Sequence, residues 1–126
     1  MGLVNAKITL ANPVDTTLEP IIADSLVDTG AAYLCIPQHI AIQLKLKTLE
    51  QREVTVANGA KQLCDYVGPV KVAFANRQCY VGALVLGTSV LLGAIPLEDM
   101  DLIVHPALRK LTVNPENPNI AGAVVM

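Results

Sequence analysis

The sequence predicts an all-β fold with one or two short helices. Its 126 residues are enough for one domain of ordinary size, residues 1–126, with a buried core. Hydrophobic residues make up 52% of the chain, and most are alanine, valine, isoleucine or leucine, with one phenylalanine and no tryptophan. Short aliphatic runs recur between glycine, proline and polar breaks, as is typical of strands joined by turns.

The charge balance and the cysteine content narrow the possible functions. A net charge of -2 leaves no basic surface for a phosphate backbone, so we expect no nucleic-acid partner. Cys35, Cys64 and Cys79 lack CxxC spacing and follow no signal peptide, which predicts a reducing, cytoplasmic location, with a Cys64–Cys79 bridge as the alternative. His39 and His105 have no partners at ligand spacing, so we expect no metal and no other cofactor.

The first third of the chain is predicted to contain a hairpin and a short helix. Ala6–Leu10 and Ile21–Val27 are aliphatic runs on either side of a polar loop, residues 12–17, and predict two paired strands. Tyr33–Ile36 is expected to be extended. Pro37 then begins a short amphipathic helix that continues to about Leu46.

A second hairpin is predicted in the middle of the chain. Arg52–Ala57 and Lys61–Val67 flank Asn58-Gly59, a pair that tolerates positive φ and closes a tight turn. We therefore expect a projecting β-hairpin here.

The segment from Gln78 to Leu97 carries no charge and is long enough to cross a bilayer as a helix. Glycines and a proline divide it, however, and no basic cluster follows it, so we expect buried strands and no membrane partner. The predicted strands are Cys79–Leu86, which pairs with Val70–Phe74 across residues 75–77, and Ser89–Leu92.

The last part of the chain is predicted to contain a short helix, a hairpin and a tail. Pro96 begins a helical turn to Met100, and Leu102–Val104 and Lys110–Val113 form the hairpin. Residues 114–126 are expected to be an extended tail or a dimer strand.

One aspartate stands where an apolar strand meets a small turn, Asp28-Thr29-Gly30. The turn itself is one interpretation, with the aspartate accepting backbone hydrogen bonds, and a functional carboxylate is the other. The segments 26–31 and 90–94 both run from an aliphatic strand into Gly-Ala and are followed by a proline and a short helical pattern. This echo indicates two related half-units, with chance as the alternative, because Gly-Ala is common after an aliphatic strand.

The order of these motifs resembles that of the retropepsin-like aspartic proteases, in particular small single-lobe members outside retroviruses. Leu-Val-Asp-Thr-Gly-Ala at residues 26–31 is followed by a short helix, a hairpin tipped by residues 57–60, Val-Leu-Leu-Gly at residues 90–93 and another short helix. The resemblance covers roughly residues 6–104. It implies a closed β-barrel-like lobe with one catalytic aspartate, so that a homodimer is needed to bring two Asp28 side chains together.

The resemblance also implies roles for the residues of this motif. The two Asp28 carboxylates share a proton and activate a water that attacks the peptide carbonyl. Thr29 hydrogen-bonds the opposite subunit, and Gly30 lets backbone N–H groups approach the carboxylates. Ala31 has no hydroxyl to donate to the carboxylate, so we expect activity to extend nearer neutral pH.

The hairpin tip matches a flap that closes over an extended peptide, with an ordinary hairpin as the alternative. Leu91–Gly93 is expected to pack beneath the turn at Asp28. The expected substrate-binding residues are Ala31, Ala57, Asn58, Gly59 and Ala60.

The leading hypothesis is an aspartic endopeptidase that acts on extended peptides as a homodimer. A catalytically silent dimerisation or peptide-binding module is the main alternative, favoured by a flap with few glycines and by the long segment after Asp101. A binding barrel unrelated to proteases is a third. The candidate dimer strands are Gly2–Val4 and Ala121–Met126.

Overall fold

The computed structural model describes residues 3–125, so Gly2 and Met126, which belong to the two candidate dimer strands, lie outside the described residues. The helices are α1 (Gln38–Gln43), α2 (Ala94–Asp99) and a 3₁₀ turn at Pro106–Leu108. The strands are β1 (Val4–Ala11), β2 (Ile21–Val27), β3 (Leu34–Ile36), β4 (Lys47–Thr55), β5 (Lys61–Phe74), β6 (Arg77–Val85), β7 (Val90–Leu92), β8 (Leu102–His105) and β9 (Lys110–Val113).

Six strands close into a barrel. Their order is β1-β2-β7-β3-β6-β5, and β5 pairs back with β1 through Thr9–Ala11 and Lys71–Ala73. Closure gives every strand of the ring two neighbours, which leaves no free edge in it. β4 pairs with β5 outside the ring, and β8 and β9 form a separate hairpin. The predicted all-β fold with a closed barrel and short helices is confirmed.

Aliphatic side chains fill the lobe. The largest fully buried ones include Ile8, Leu10, Leu34, Ile36, Leu44, Leu92 and Met100. Burying a side chain of this kind contributes about 1.5–3 kcal/mol. The strand ends and loops at the rim are therefore attached to a well-packed body.

The predicted pairing of the first two strands is confirmed, and the middle of the chain differs from the prediction. β4 begins at Lys47 instead of Arg52, so the projecting hairpin has longer arms. The predicted break between Lys61–Val67 and Val70–Phe74 is wrong, because β5 is a single strand of 14 residues. Its pairing with β6 shifts register between Val67 and Val70, which indicates a bulge that absorbs Gly68-Pro69 without ending the strand.

Both helices differ from their predicted limits. α1 ends at Gln43 instead of Leu46, and Lys45 with φ of 50° turns the chain into β4. α2 begins at Ala94, two residues before the proline that was expected to start it. Pro96 is tolerated there because the first N–H groups of a helix have no acceptor within the helix.

The uncharged segment Gln78–Leu97 lies in β6, β7 and the start of α2. None of the helices within residues 3–125 has the length and hydropathy that crossing a membrane requires.

All three cysteines are free, and strand register rules out the alternative bridge. Cys79 pairs with Val72, whereas Cys64 lies eight positions earlier on β5, opposite Arg52. Eight residues of strand span about 25 Å, and a disulfide requires Cα atoms within about 7 Å. Burial raises the pKa of the Cys79 thiol to about 12, with a smaller contribution from Asp99.

The segment after β9 is held against its own lobe through Asp101. The Asp101 carboxylate accepts hydrogen bonds from Asn114 Nδ2 at 3.0 Å, from Asn117 Nδ2 at 2.8 Å and from the Gly122 N–H at 2.9 Å. Residues 114–125 contain turns and bends but no strand. The described part of Ala121–Met126 is therefore not a strand in the single chain.

The turn between β5 and β6 is shorter than predicted and also holds the tail. Only Ala75 and Asn76 form it, and Arg77, expected in the loop, begins β6 and is buried. Asn76 Nδ2 donates to the Pro118 carbonyl at 2.9 Å, and Arg77 Nη2 donates to the Asn117 carbonyl. The tail thus contacts a buried arginine that the sequence pattern placed in the loop.

Acid is expected to release the tail. Hydrogen bonds hold the pKa of the Asp101 carboxyl below its ordinary value of 3.8. The bond from Asn114 has the largest effect. A depressed folded-state pKa gives stabilisation that is present above about pH 4 and lost as the pH falls through the lower folded-state value. We expect the Gly122 amide to lose its hydrogen-exchange protection as the pH falls below about 4. NMR during an acid titration measures this, and a Gly122 amide unchanged over that fall in pH would contradict it.

Candidate active site

The Asp28 loop, residues 28–33, joins β2 to β3 and is fixed to the end of β7. β2 and β7 run side by side in parallel, with Val27 opposite Leu92. The Asp28 N–H donates to the Leu92 carbonyl at 3.0 Å, and the Ala31 N–H donates to the Asp28 carbonyl at 3.2 Å. The two strands that share the Gly-Ala echo are thus neighbours, and together they set the position of Asp28.

Gly93 and the start of α2 support the loop from below. The first-turn N–H groups of Ala94 and Ile95 donate to the carbonyls of Ala31 and Ala32, at 2.7 and 2.8 Å. A Cβ on Gly93 would lie 2.8 Å from the Ala31 carbonyl oxygen and closer still to that of Tyr33. The expected packing of Leu91–Gly93 beneath the loop is confirmed, and it requires a residue without a side chain.

The turn interpretation of the motif is confirmed, and it leaves the carboxylate accessible. The Gly30 N–H donates to Asp28 Oδ1 at 2.9 Å. A Cβ on Gly30 would lie 3.2 Å from the same oxygen, so glycine keeps this approach uncrowded. Asp28, Thr29 and Gly30 are all exposed in the single chain.

A cleft of about 530 Å³ lies beside this loop, beneath the outgoing strand of the projecting hairpin. Gly30–Tyr33 lines one side, and Glu53–Ala57 lines another. Cys35, Leu84, Leu86 and Leu91 complete a lining that is largely apolar. A concave apolar cleft with few polar groups is the usual form of a ligand site.

Of the five expected substrate-binding residues, Ala31 and Ala57 meet in this cleft. Asn58, Gly59 and Ala60 form the exposed hairpin tip and are not part of its lining. The Gly59 N–H donates to the Val56 carbonyl at 2.9 Å, and Gly59 has φ of 86°, as expected for the glycine of an Asn-Gly turn.

Sequence reasoning missed most of the lining. Tyr33 and Cys35 follow the motif directly, but nothing in their pattern indicates a cleft. One signal was available in the sequence. Val54 and Val56 are two residues apart, and alternate residues of a half-buried hairpin strand share its inner face. Leu84 and Leu86 come from β6 and its end, and only the tertiary fold brings them here.

The cleft lining also carries the thiol of Cys35 and the carboxylate of Glu53. Burial, with a smaller contribution from Cys64, raises the pKa of the Cys35 thiol above its ordinary value of 9.0. The thiol is therefore protonated at neutral pH and a poor nucleophile. The Glu53 carboxylate lies 3.7 Å from Lys61 Nζ across the hairpin.

A second, smaller groove of about 290 Å³ adjoins Thr29. The residues of β8 from Leu102 to Val104 line it, together with Leu97 of α2. Among the strands of residues 3–125, β8 pairs only with β9, so its other edge has no strand partner.

Comparison with known proteins reveals similarity in structure only. No protein-family model matches the sequence, and no curated protein matches it. The retroviral protease-like domain of Ddi1 from Leishmania major superposes with a TM-score of 0.55 at 12% identity, over 90% of this chain and 91% of that one. EIAV protease complexed with the inhibitor HBY-793 superposes with a TM-score of 0.50 at 18% identity, over 78% of this chain and 88% of that one. Identities this low establish the fold alone. The retropepsin-like fold that the motifs predicted is therefore confirmed.

Proposed function

We propose that this chain, which has a retropepsin-like fold, is an aspartic endopeptidase that cleaves extended peptides as a homodimer. The observation that carries the proposal is the position of Asp28, whose exposed carboxylate is anchored at a strand end beside a largely apolar cleft. One solved structure of the same fold is a protease in complex with an inhibitor. In this proposal residues 1–126 act as one domain, and the free cysteines favour a reducing, cytoplasmic location.

The chemistry needs one carboxylate from each of two chains. Two adjacent carboxylates cannot both ionise cheaply, so the pair of Asp28 side chains holds one proton. The ionised carboxylate takes a proton from a water molecule, whose oxygen attacks the peptide carbonyl carbon. The protonated carboxyl donates its proton to the carbonyl oxygen, which gives a gem-diol. The first carboxyl, now protonated, then gives its proton to the peptide nitrogen, and the other carboxylate takes a proton from the gem-diol. The C–N bond breaks to leave a carboxylic acid and an amine.

The groove beside Thr29 is the best-supported place for the second copy. The free edge of β8 carries N–H and C=O groups without a strand partner, and such edges are prone to pair with another chain. Pairing of β8 with its copy about a two-fold axis would bring Thr29 of each chain to the interface. This assignment replaces the candidate strand Ala121–Met126, whose described part is tied back to Asp101 through Gly122.

Charging this groove is expected to dissociate the dimer. Ile103 is half-buried on β8 within the groove, and Ile103→Glu would bury an unpaired carboxylate at the interface, beside Glu98 of the same groove. We expect the dimer dissociation constant to rise at least about tenfold, because burying an unpaired charge costs more than 1.4 kcal/mol. Sedimentation velocity measures the constant. The matched control is Ile22→Glu, at an exposed isoleucine near the start of β2, and equal dissociation constants in the two variants would contradict the interface.

The alternative is a module that binds peptides without cleaving them, for which the apolar cleft alone would be enough. The two are distinguished by incubating the purified protein with a defined mixture of peptides between about pH 4 and pH 7 and identifying products by mass spectrometry. The protease hypothesis predicts new termini at reproducible bonds. Retention of intact peptides on the protein, with no new termini, would support the binding module instead.

A further inference from the structure

Arg52 lies between two tyrosine rings beside the cleft. Its guanidinium carbon is 3.8 Å from the centroid of the Tyr66 ring and 5.5 Å from that of Tyr33. The two rings meet edge to face, with their centroids 6.2 Å apart. Arg52 Nε also donates to Glu50 Oε2 at 2.8 Å, which restrains the guanidinium. All these distances fall within the range of cation–π and charge-assisted contacts.

The two tyrosines are fixed to the barrel through different contacts. Tyr33 ends the Asp28 loop and lines the cleft, and its carbonyl oxygen lies against Gly93. Tyr66 is on β5, and its ring lies over Gly82 of β6, where a Cβ would overlap the ring. Both rings are thus held by the barrel.

Arg52 itself is on β4, at the base of the projecting hairpin. It pairs in register with Cys64, and the hairpin beyond this pair spans residues 53–63, of which residues 53–57 line the cleft. The other ion pair of the hairpin, between Lys61 and Glu53, joins its two arms to each other. That pair cannot attach the hairpin to the Asp28 loop, whereas the contact of Arg52 with Tyr33 does.

We propose that Arg52 is a latch that holds the hairpin closed against the Asp28 loop. Its contact with Tyr66 stiffens the base of the hairpin, since both residues lie on the β4–β5 pair. Its contact with Tyr33 joins the hairpin to the loop and is broken when the hairpin lifts. Arg52 is therefore a positioning residue for peptide binding. This role in peptide binding rests on the proposed function. The restraint of the hairpin by Arg52 does not depend on the proposed function.

The first test compares hairpin motion in Arg52→Gln with that in Lys61→Gln, which removes a cation from the same hairpin without touching the latch. Relaxation dispersion of the Val54, Val56 and Gly59 amides by NMR reports the population of the open state. Loss of the latch is expected to raise that population about threefold to tenfold, and Lys61→Gln is expected to match the wild type. Arg52→Lys keeps the charge and should give an intermediate value.

The second test changes the ring instead of the cation. Tyr33→Phe keeps an aromatic face for Arg52 and should leave the open population near the wild-type value, whereas Tyr33→Leu should match Arg52→Gln. This pair decides the question if Arg52→Gln does not fold. An open population unchanged in both Arg52→Gln and Tyr33→Leu overturns the latch.

Kinetics connect the latch to peptide binding. In Arg52→Gln we expect KM to rise about threefold to tenfold with kcat within about twofold of the wild type, because Asp28 is untouched and only closure is weakened. A merely structural role would lower kcat as the folded fraction falls and leave KM unchanged, which would overturn the proposal. If the wild-type protein cleaves no peptide, the proposed function fails, and the NMR populations alone decide the latch.

Discussion

Asp28→Asn is expected to lower peptide hydrolysis by at least about a thousandfold while the protein stays folded. Asparagine cannot take a proton from water, so the dyad loses its general base. The substitution keeps the size of the side chain, and its amide oxygen can still accept the hydrogen bond from the Gly30 N–H. Because the variant also removes a repulsion between like charges, the dimer should be as tight as the wild type or tighter.

The measurement compares cleavage rates of one peptide, with circular dichroism and sedimentation to verify fold and dimer. Asp24→Asn is the matched control, since Asp24 is exposed on β2, the strand that leads to Asp28, four residues before it. We expect that control to retain full activity. Cleavage by Asp28→Asn at a rate close to that of the control would exclude the dyad mechanism.

Gly93→Ala is expected to have the second-largest effect, on both stability and activity. The new Cβ would lie 2.8 Å from the Ala31 carbonyl oxygen and closer to that of Tyr33, and both are backbone atoms that cannot rotate away. The Asp28 loop must therefore move from α2, which strains the hydrogen bonds of Ala94 and Ile95. Overpacking of this kind costs about 1–3 kcal/mol.

Chemical denaturation measures the loss, and NMR shifts of the Ala31 and Ala94 amides locate it. Activity should fall at least about tenfold, because small displacements of a reacting group are costly. Ser89→Ala, an exposed residue in the turn before β7, should stay within about 0.5 kcal/mol of the wild type. A Gly93→Ala protein as stable and active as that control would contradict the role of Gly93.

The fold was largely predictable where local signals agree with the tertiary structure. Residue types with strong conformational preferences predicted the hairpin closed by Asn58-Gly59 and the strand that leads into Asp28. Pairing of Ile21–Val27 with the first strand followed from two aliphatic runs around a polar loop. The break at Gly68-Pro69 was wrong because a bulge, which depends on the partner strand, keeps β5 continuous.

The candidate site was predictable only in part. The motif indicated Asp28 and Ala31. Leu84 and Leu91, which lie on other strands, also line the cleft, and no local sequence pattern indicates that these strands come together there. Arg52 was expected to be an ordinary strand residue, since its contact with Tyr33 depends on how the hairpin folds over the loop. Arg77 was expected in the loop of residues 75–77, yet it begins β6, is buried and donates to the Asn117 carbonyl of the tail.

The distance between the two Asp28 side chains of an assembled dimer tests the central claim most directly. A crystal structure of the protein at a concentration where sedimentation reports dimers would provide it. We expect the two carboxylates to lie about 3 Å apart, facing each other across a two-fold axis. A protein that stays monomeric, or a dimer whose Asp28 carboxylates lie more than about 10 Å apart, would contradict the proposed hydrolysis, because no water could then contact both acids.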